Sequence, residues 1–246
     1  GDGQELIDII YQNCIIEDNS NSEEGGGLQQ ASISGTEPSL RNCNLYVLEC
    51  EFRNNYASFG GAIAVSTYRP VYIDRCLFYD NHVNQSAAWH AGAIYIYPTS
   101  QTTFFNDETS ITNCYFRGNY NINYQAAKGR VIYIGNNNPS VDRMKVIIQN
   151  NTFIDNYHPS RDNNNNQFII FSDYKHSEGF IVSNCTFEFS NPTSTTSCRA
   201  LGFADNVHNI KIDNSTFHAI WSSNNGSAIY IDQLDSEAII TNCSFI

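Results

Sequence analysis

Eight cysteines are the residues of this chain with the most varied chemistry, because a thiol can be a nucleophile, a metal ligand or half of a disulfide. Six of them recur at one position of a repeated phrase: Cys14, Cys50, Cys76, Cys114, Cys185 and Cys243. No C-x-x-C pair or Cys/His spacing indicates zinc. The regular placement predicts a buried column of small apolar side chains. Since stacked strands lie about 4.8 Å apart, disulfides within the column, such as Cys14–Cys50, are the alternative.

The other two cysteines, Cys43 and Cys198, fall outside that register. We expect both in loops, as exposed thiols or as members of a disulfide pair.

Asparagine side chains offer a second chemistry, because six of them begin the N-x-[ST] acceptor sequence for N-glycosylation. They are Asn84, Asn150, Asn184, Asn214, Asn225 and Asn242. We expect at least one to carry a glycan in a eukaryotic source. A full set is not expected, because glycans on Asn184, Asn214 and Asn242 would lie about one strand spacing apart and crowd each other.

Carboxylates are the third candidate group, since enzymes of the β-helix type that cleave acidic polysaccharides cluster Asp on one strand face. Asp74 and Asp213 take the same position in their repeats, but those repeats are far apart, and paired catalytic carboxylates must be neighbours. The segment 143–145 matches an R-x-K pattern of pectin-degrading hydrolases without the other patterns of that family. We therefore predict no catalytic residues and no cofactor, with a polysaccharide lyase or hydrolase as the alternative.

Composition limits the partners of the chain. It has 246 residues and a net charge of −12, from 25 acidic and 13 basic residues, which disfavours nucleic acid and anionic membranes. No apolar run approaches the roughly 18 residues of a membrane span. The chain lacks an initiator Met and a signal peptide, so we interpret it as a mature or trimmed segment.

A repeat of eight copies positions all of these residues. Each copy has apolar residues five and three places before a small central residue, and usually a Phe two places after it. The central residues are Cys14, Cys50, Cys76, Cys114, Asn151, Cys185, Ser215 and Cys243. The two alternating pairs are out of phase by one residue, so the chain must bend between them, at the residue before the centre.

A second corner is expected five places after the centre, with the amides of Asn19, Asn55, Asn81, Asn119 and Asn156 stacked inside. A third strand follows. We place it at residues 60–65, 91–96 and 129–134, with weaker copies at 168–171, 200–203 and 227–231. The pattern predicts an all-β fold: one right-handed, single-stranded parallel β-helix over residues 1–246, with about eight rungs of three short strands. A β-sandwich would not explain so uniform an order.

Two short motifs recur with the repeat. F-x-x-N stands at 52–55, 78–81, 116–119 and 153–156, and G-G-A-[ILV] at 60–63, with a near copy at 91–94. The pairing resembles the repeats of the chlamydial polymorphic outer-membrane proteins and related protist surface proteins, most clearly over residues 45–156. The resemblance implies a β-helix displayed on a cell surface, with adhesive or structural roles and no catalytic residues. Both motifs decay after Asn156.

The two ends of the repeat array expose apolar columns and unpaired strands. We expect either a segment of a longer β-helix or copies that stack head to tail, since such a contact need not close into a ring. The contact residues would be Ile240, Cys243 and Phe245 of one copy and Tyr11, Cys14 and Ile16 of the next.

The sequence thus favours a non-catalytic extracellular or cell-surface protein, structural or adhesive, that binds itself or other surface proteins and glycans. A carbohydrate-binding module is a further alternative, using Trp89, Trp221, Tyr95 and Tyr133.

Overall fold

The computed structural model describes residues 7–31, 43–67, 69–83, 91–98, 107–121, 129–135, 144–156, 168–173, 179–190, 198–204, 207–220, 226–232, 234 and 236–246. These residues contain 26 strands and no helix. The predicted sequons at Asn84 and Asn225 and the two tryptophans lie outside the described residues.

The strands form four parallel sheets. The first contains β1 (Ile7–Gln12), β4 (Cys43–Leu48), β8 (Val71–Asp74), β12 (Asp107–Thr112), β16 (Met144–Gln149), β19 (Phe180–Ser183), β22 (Ile210–Asp213) and β25 (Ala238–Thr241). The second contains β2 (Ile15–Glu17), β5 (Glu51–Arg53), β9 (Leu77–Tyr79), β13 (Tyr115–Arg117), β17 (Thr152–Ile154), β20 (Thr186–Glu188), β23 (Thr216–His218) and β26 (Ser244–Phe245). The third contains β3 (Leu28–Ala31), β7 (Ile63–Thr67), β11 (Ile94–Pro98), β15 (Gly129–Ile134), β18 (Phe168–Ser172), β21 (Arg199–Phe203) and β24 (Ile229–Ile231). A short corner sheet contains β6 (Tyr56–Ala57), β10 (His82–Val83) and β14 (Tyr120–Asn121).

Each strand pairs with the corresponding strand of the next repeat, so the chain winds as a parallel β-solenoid. Phe78 is in register with Phe52 on one side and with Phe116 on the other. From Phe52 to Phe245 the stacked rings have centroids 4.7–5.1 Å apart and planes within 8° of parallel. The prediction of an all-β fold with repeats piled in register is confirmed.

The bend before the central residue is a left-handed backbone position in all eight repeats. Its φ values run from 47° to 56°, at Asn13, Glu49, Arg75, Asn113, Asn150, Asn184, Asn214 and Asn242. Asn dominates this position because it tolerates positive φ better than other residues with a Cβ. The predicted first corner is therefore confirmed.

The second corner lies one residue earlier than we predicted. The positive φ falls four places after the centre, at Asp18, Asn54, Asp80, Gly118, Asp155 and Ala219. The asparagines that follow at positions 55, 81, 119 and 156 are buried inside the solenoid, as predicted. Asn19 in the first repeat is exposed, contrary to the prediction, although its Nδ2 donates to Asn55 Oδ1 at 3.0 Å. The repeat centred on Cys185 differs, because the residue four places after its centre, Phe189, is buried in the core. The inner asparagine amides form hydrogen bonds inside the solenoid, so the left-handed turn lies at the residue before each of them.

Two elements of the fold were not predicted. Strand β3 is not among the third strands that we placed, because its sequence Leu28-Gln29-Gln30-Ala31 has little strand character. It is held by pairing with β7 along its whole length. The corner sheet adds a fourth, two-residue strand to three repeats, so the expectation of three strands per rung is incomplete.

The core consists of the inward residues of the three long sheets, most of them fully buried. A second apolar cluster lies apart from that core and includes Tyr95, Tyr133, Phe168 and Phe171, none more than 7% exposed. It packs on the third sheet, where Tyr95 and Tyr133 are in register.

Candidate functional site

The six in-register cysteines lie on one inward column, and none of the eight cysteines of the chain is in a disulfide. Cys50, Cys76, Cys114 and Cys185 are buried, while Cys14 and Cys243 in the outermost repeats are partly exposed. The column contains no disulfide, so the bridged alternative, including Cys14–Cys50, is not the arrangement of this structure.

Cys43 and Cys198 are neither exposed nor bridged, contrary to our expectation, and only Cys198 lies outside the strands as predicted. Cys43 is the first residue of β4 and is 5% exposed. It shares the inward face of that strand with Leu45 and Val47, because the alternation of the strand extends two residues further than the repeat suggested. Cys198 directly precedes β21 and is fully buried in the main core.

The central side chains form a hydrogen-bonded ladder, which the interpretation of Cys as a small hydrophobic residue missed. Cys114 Sγ accepts from the backbone N–H of Cys76 at 3.4 Å and donates to the Thr112 carbonyl at 3.0 Å. Asn151 and Ser215 also accept from the preceding central N–H, at 2.8 and 3.2 Å. Ser215 Oγ donates to the Asp213 carbonyl of its own repeat, whereas Asn151 Nδ2 donates to the Ile111 carbonyl of the preceding repeat. The presence of Asn and Ser at this position was the available signal.

This environment makes the thiols of Cys50, Cys114 and Cys185 poor nucleophiles, whereas the hydrogen bond with Cys114 lowers the pKa of Cys76. Burial raises the pKa of the Cys50 thiol to about 11 and that of Cys185 to about 12. Burial also raises the pKa of the Cys114 thiol well above its usual value. Because the thiolate is the reactive form, these side chains are structural at neutral pH.

The inner asparagines form a second ladder. Asn81 Oδ1 accepts from the backbone N–H and the Nδ2 of Asn55, at 3.1 and 3.0 Å, and Asn119 serves Asn81 in the same way. Each Nδ2 also donates to a backbone carbonyl of the preceding repeat, such as Asn81 Nδ2 to Phe52 O at 3.0 Å. The ladder ends at Asn156, whose Oδ1 accepts from Asn119.

The two candidate carboxylates, Asp74 and Asp213, accept hydrogen bonds from the next repeat at the first corner. Asp74 Oδ1 accepts from Thr112 Oγ1 at 2.8 Å and from Asn113 Nδ2 at 2.7 Å. Asp213 Oδ1 accepts from the Thr-Asn pair of the next repeat, Thr241 and Asn242, at 2.7 and 3.0 Å. These bonds hold the pKa of Asp213 below its usual value, which favours a permanent acceptor over a proton donor. Strands β12, β16 and β19 separate the two residues, so they do not form a pair.

Four of the six sequon asparagines lie on this outer corner column, exposed to solvent. Three of their side-chain nitrogens bond to the preceding repeat. Asn150 Nδ2 donates to Asn113 Oδ1 at 3.0 Å, Asn214 Nδ2 to Asn184 Oδ1 at 2.6 Å, and Asn242 Nδ2 to Asp213. Asn184, Asn214 and Asn242 follow one another on adjacent strand pairs, which is the crowded arrangement that the sequence predicts.

The predicted contact residues lie at opposite ends of the two eight-stranded sheets. Tyr11 is 37% exposed at one end, while Ile240 and Phe245 are 44% and 56% exposed at the other. Their equivalents in the middle repeats, such as Ile111 and Phe116, are fully buried. The difference arises because strands β1, β2, β25 and β26 pair on one side only within the described residues.

Tyr95 and Tyr133 do not form the exposed aromatic surface expected of a sugar-binding module. They stack on each other in the second cluster, with centroids 5.4 Å apart, and are 7% and 1% exposed. The Tyr133 hydroxyl donates to Asp173 Oδ1 at 2.7 Å, and burial raises the pKa of both phenols.

The described residues contain no group of three or more His, Cys, Asp or Glu side chains suited to hold a metal ion. Nor do they include a helix long and apolar enough to cross a membrane. Comparison of the chain with protein-family models, curated proteins and solved structures found no match.

Proposed function

We propose that this protein is a non-catalytic structural or adhesive β-helix of the cell surface or the extracellular space. The observation that carries the proposal is that the side chains with the most reactive chemistry form hydrogen bonds within the solenoid. The in-register thiols, the inner amides and the two corner carboxylates all bond to adjacent repeats of the solenoid. These side chains hold adjacent repeats together, and a catalytic site built from them would have to break those hydrogen bonds.

The same proposal includes a right-handed helix of about eight rungs. Parallel strands joined by crossovers in one sheet are right-handed in nearly all proteins, because the strand twist favours that direction. The first and second sheets, each with eight strands, support the number of rungs.

Display outside the cell is supported by the surface chemistry. The exposed corner column carries Asn150, Asn184, Asn214 and Asn242, each within an N-glycosylation sequon. The resemblance of the F-x-x-N and G-G-A-[ILV] motifs to surface-displayed β-helical repeats agrees with this location. A net charge of −12 keeps such a surface soluble and away from polyanions.

We further propose that copies stack head to tail as a surface filament. Ile240, Cys243 and Phe245 occupy the repeat positions that Tyr11, Cys14 and Ile16 occupy at the other end. A second copy would therefore continue the same three columns and pair the unpaired backbone of β25 and β26 with that of β1 and β2. The contact is heterologous and extends without closing.

Electron microscopy of the purified protein tests the filament. The double variant Ile240→Lys, Phe245→Lys places two charges in the proposed contact and should yield short particles in place of fibres. Leu77→Lys is the matched control, because Leu77 is 36% exposed on a lateral strand away from both ends. Fibres that persist in the double variant contradict head-to-tail stacking.

A separate assay tests the non-catalytic part. The protein is incubated with a panel of acidic polysaccharides, and chain length is followed by size-exclusion chromatography. We expect unchanged chain lengths. Cleavage by the purified protein would overturn the structural role and favour a lyase or hydrolase.

A further inference from the structure

Arg199 is a cationic side chain buried in an apolar environment. It is the first residue of β21, in register with Phe168 of β18, and it is 6% exposed. Phe168 belongs to the second apolar cluster, beside Phe171. Gly202 of the same strand leaves room for these rings, since a Cβ there would lie 2.6 Å from Phe168 and 2.7 Å from Phe171.

The guanidinium packs against two aromatic rings that also contact each other. Arg199 Cζ lies 4.9 Å from the centroid of Phe168 and 5.1 Å from that of Tyr230, and the two centroids are 5.8 Å apart. The three groups are therefore in mutual contact. We call this arrangement, Arg199 with Phe168 and Tyr230, the arginine notch.

The aromatic rings stabilise the positive charge, but they cannot accept hydrogen bonds from the N–H groups in the guanidinium plane as an oxygen atom would. Arg199 Nε is buried without a hydrogen-bond partner, and within the described residues no carboxylate pairs with this side chain. Arg75 shows the contrast: it is exposed and has Glu49 and Asp74 at 2.9 and 2.8 Å. A buried guanidinium with an open donor costs free energy, and burial lowers the pKa of Arg199 accordingly.

We propose that the arginine notch is a binding site for a carboxylate group of an external ligand. A guanidinium presents parallel N–H donors in one plane, and a carboxylate offers two oxygens at matching spacing and a single compensating charge. The aromatic rings hold the guanidinium in place before the ligand arrives, which reduces the ordering cost of binding. Tyr230 is partly exposed, so the ligand approaches from the side of β24.

This site does not depend on head-to-tail stacking, because β18, β21 and β24 belong to the third sheet and not to the proposed contact columns. Carboxylates occur both as simple anions and on acidic sugars, and the two sources share the chemistry that the notch recognises. The probes that separate them are acetate and D-glucuronate, with glucose as the uncharged counterpart of glucuronate.

The test uses the Nε–H resonance of Arg199 in nitrogen-15 NMR spectra, assigned by its loss in Arg199→Lys. Acetate and glucuronate are titrated at constant pH and ionic strength, and we expect a saturable shift of this resonance with both, and none with glucose. A glucuronate affinity about tenfold above that of acetate would assign the site to acidic sugars, and equal affinities would assign it to carboxylates in general. Absence of a saturable shift, or tighter binding of inorganic phosphate than of either carboxylate, would overturn the assignment.

Variants provide an independent check by calorimetry. Arg199→Gln keeps much of the side-chain shape and removes the charge, and we expect its carboxylate affinity to fall at least about tenfold, because a charge-assisted hydrogen bond is lost. Arg75→Gln is the matched control and should bind as the wild type does. If Arg199→Gln fails to fold, the titration of the wild-type resonance still decides the question.

Discussion

The central residue of each repeat shows how one position can accept three different side chains. Cys, Asn and Ser are all small, and each can both accept a hydrogen bond from the preceding repeat and donate one to a carbonyl. Ala or Val would fit the volume but leave the N–H of the neighbouring central residue without an acceptor. The chemistry of the side chain therefore matters at this position through its two hydrogen bonds and not through reactivity.

Ser215 offers the sharpest test of this residue-scale argument. Ser215→Cys keeps a donor and an acceptor, so we expect the free energy of unfolding to change by less than about 1 kcal/mol. Ser215→Ala leaves the Cys185 N–H unsatisfied in the core and should cost about 1–3 kcal/mol. Urea denaturation measures both, with Ser110→Ala on the outward face of β12 as the control. Equal effects of Ala and Cys would show that the hydroxyl serves only as a small group.

At the scale of the element, the short strands are set by the corners between them. The corner before the centre has a left-handed backbone in every repeat and carries Asn in six of eight. The corner after the Phe is also left-handed but carries Asp, Asn, Gly or Ala. Ala is the least suited of these, because its Cβ clashes with the following carbonyl and its side chain offers no hydrogen bond in return.

Ala219, with a φ of 55°, should therefore be a site of removable strain. We expect Ala219→Gly to raise the free energy of unfolding by about 0.5–1 kcal/mol, because Gly adopts this conformation without the clash. Ala238→Gly is the control: it lies within β25, so Gly there should lower stability by a similar amount. Urea denaturation curves of the two variants should shift in opposite directions, and a destabilising Ala219→Gly would contradict the prediction.

At the scale of the whole molecule, stability is shared between nearest neighbours. Each strand of the middle repeats contacts equivalents on both sides, whereas the outermost strands have one partner within the described residues. The exposure of the inward positions Tyr11, Ile240 and Phe245 reflects the same asymmetry. Opening of the solenoid should therefore begin at its ends and not in its centre.

Hydrogen exchange of the unassembled protein tests this expectation. Amides of β12 and β16 should exchange most slowly, and those of β1 and β25 most quickly, because local opening costs least where strands are paired once. Mass spectrometry of peptic fragments resolves the gradient. Equal protection along the first sheet would indicate one cooperative unit in place of a nearest-neighbour array.

The sequence by itself determined the solenoid, because a repeat that alternates inward and outward residues can bury its Phe and Ile columns only by stacking. It also placed the first corner, since six asparagines in eight copies indicate a left-handed position. Only the tertiary structure decided that Cys43, Cys198 and Tyr95 are buried and that residues 28–31 form strand β3. Their burial depends on contacts with strands that are neighbours in space and not in the chain. The arginine notch belongs to this second class, because Phe168, Arg199 and Tyr230 come from the third strands of three separate repeats and no motif in the sequence indicates their contact.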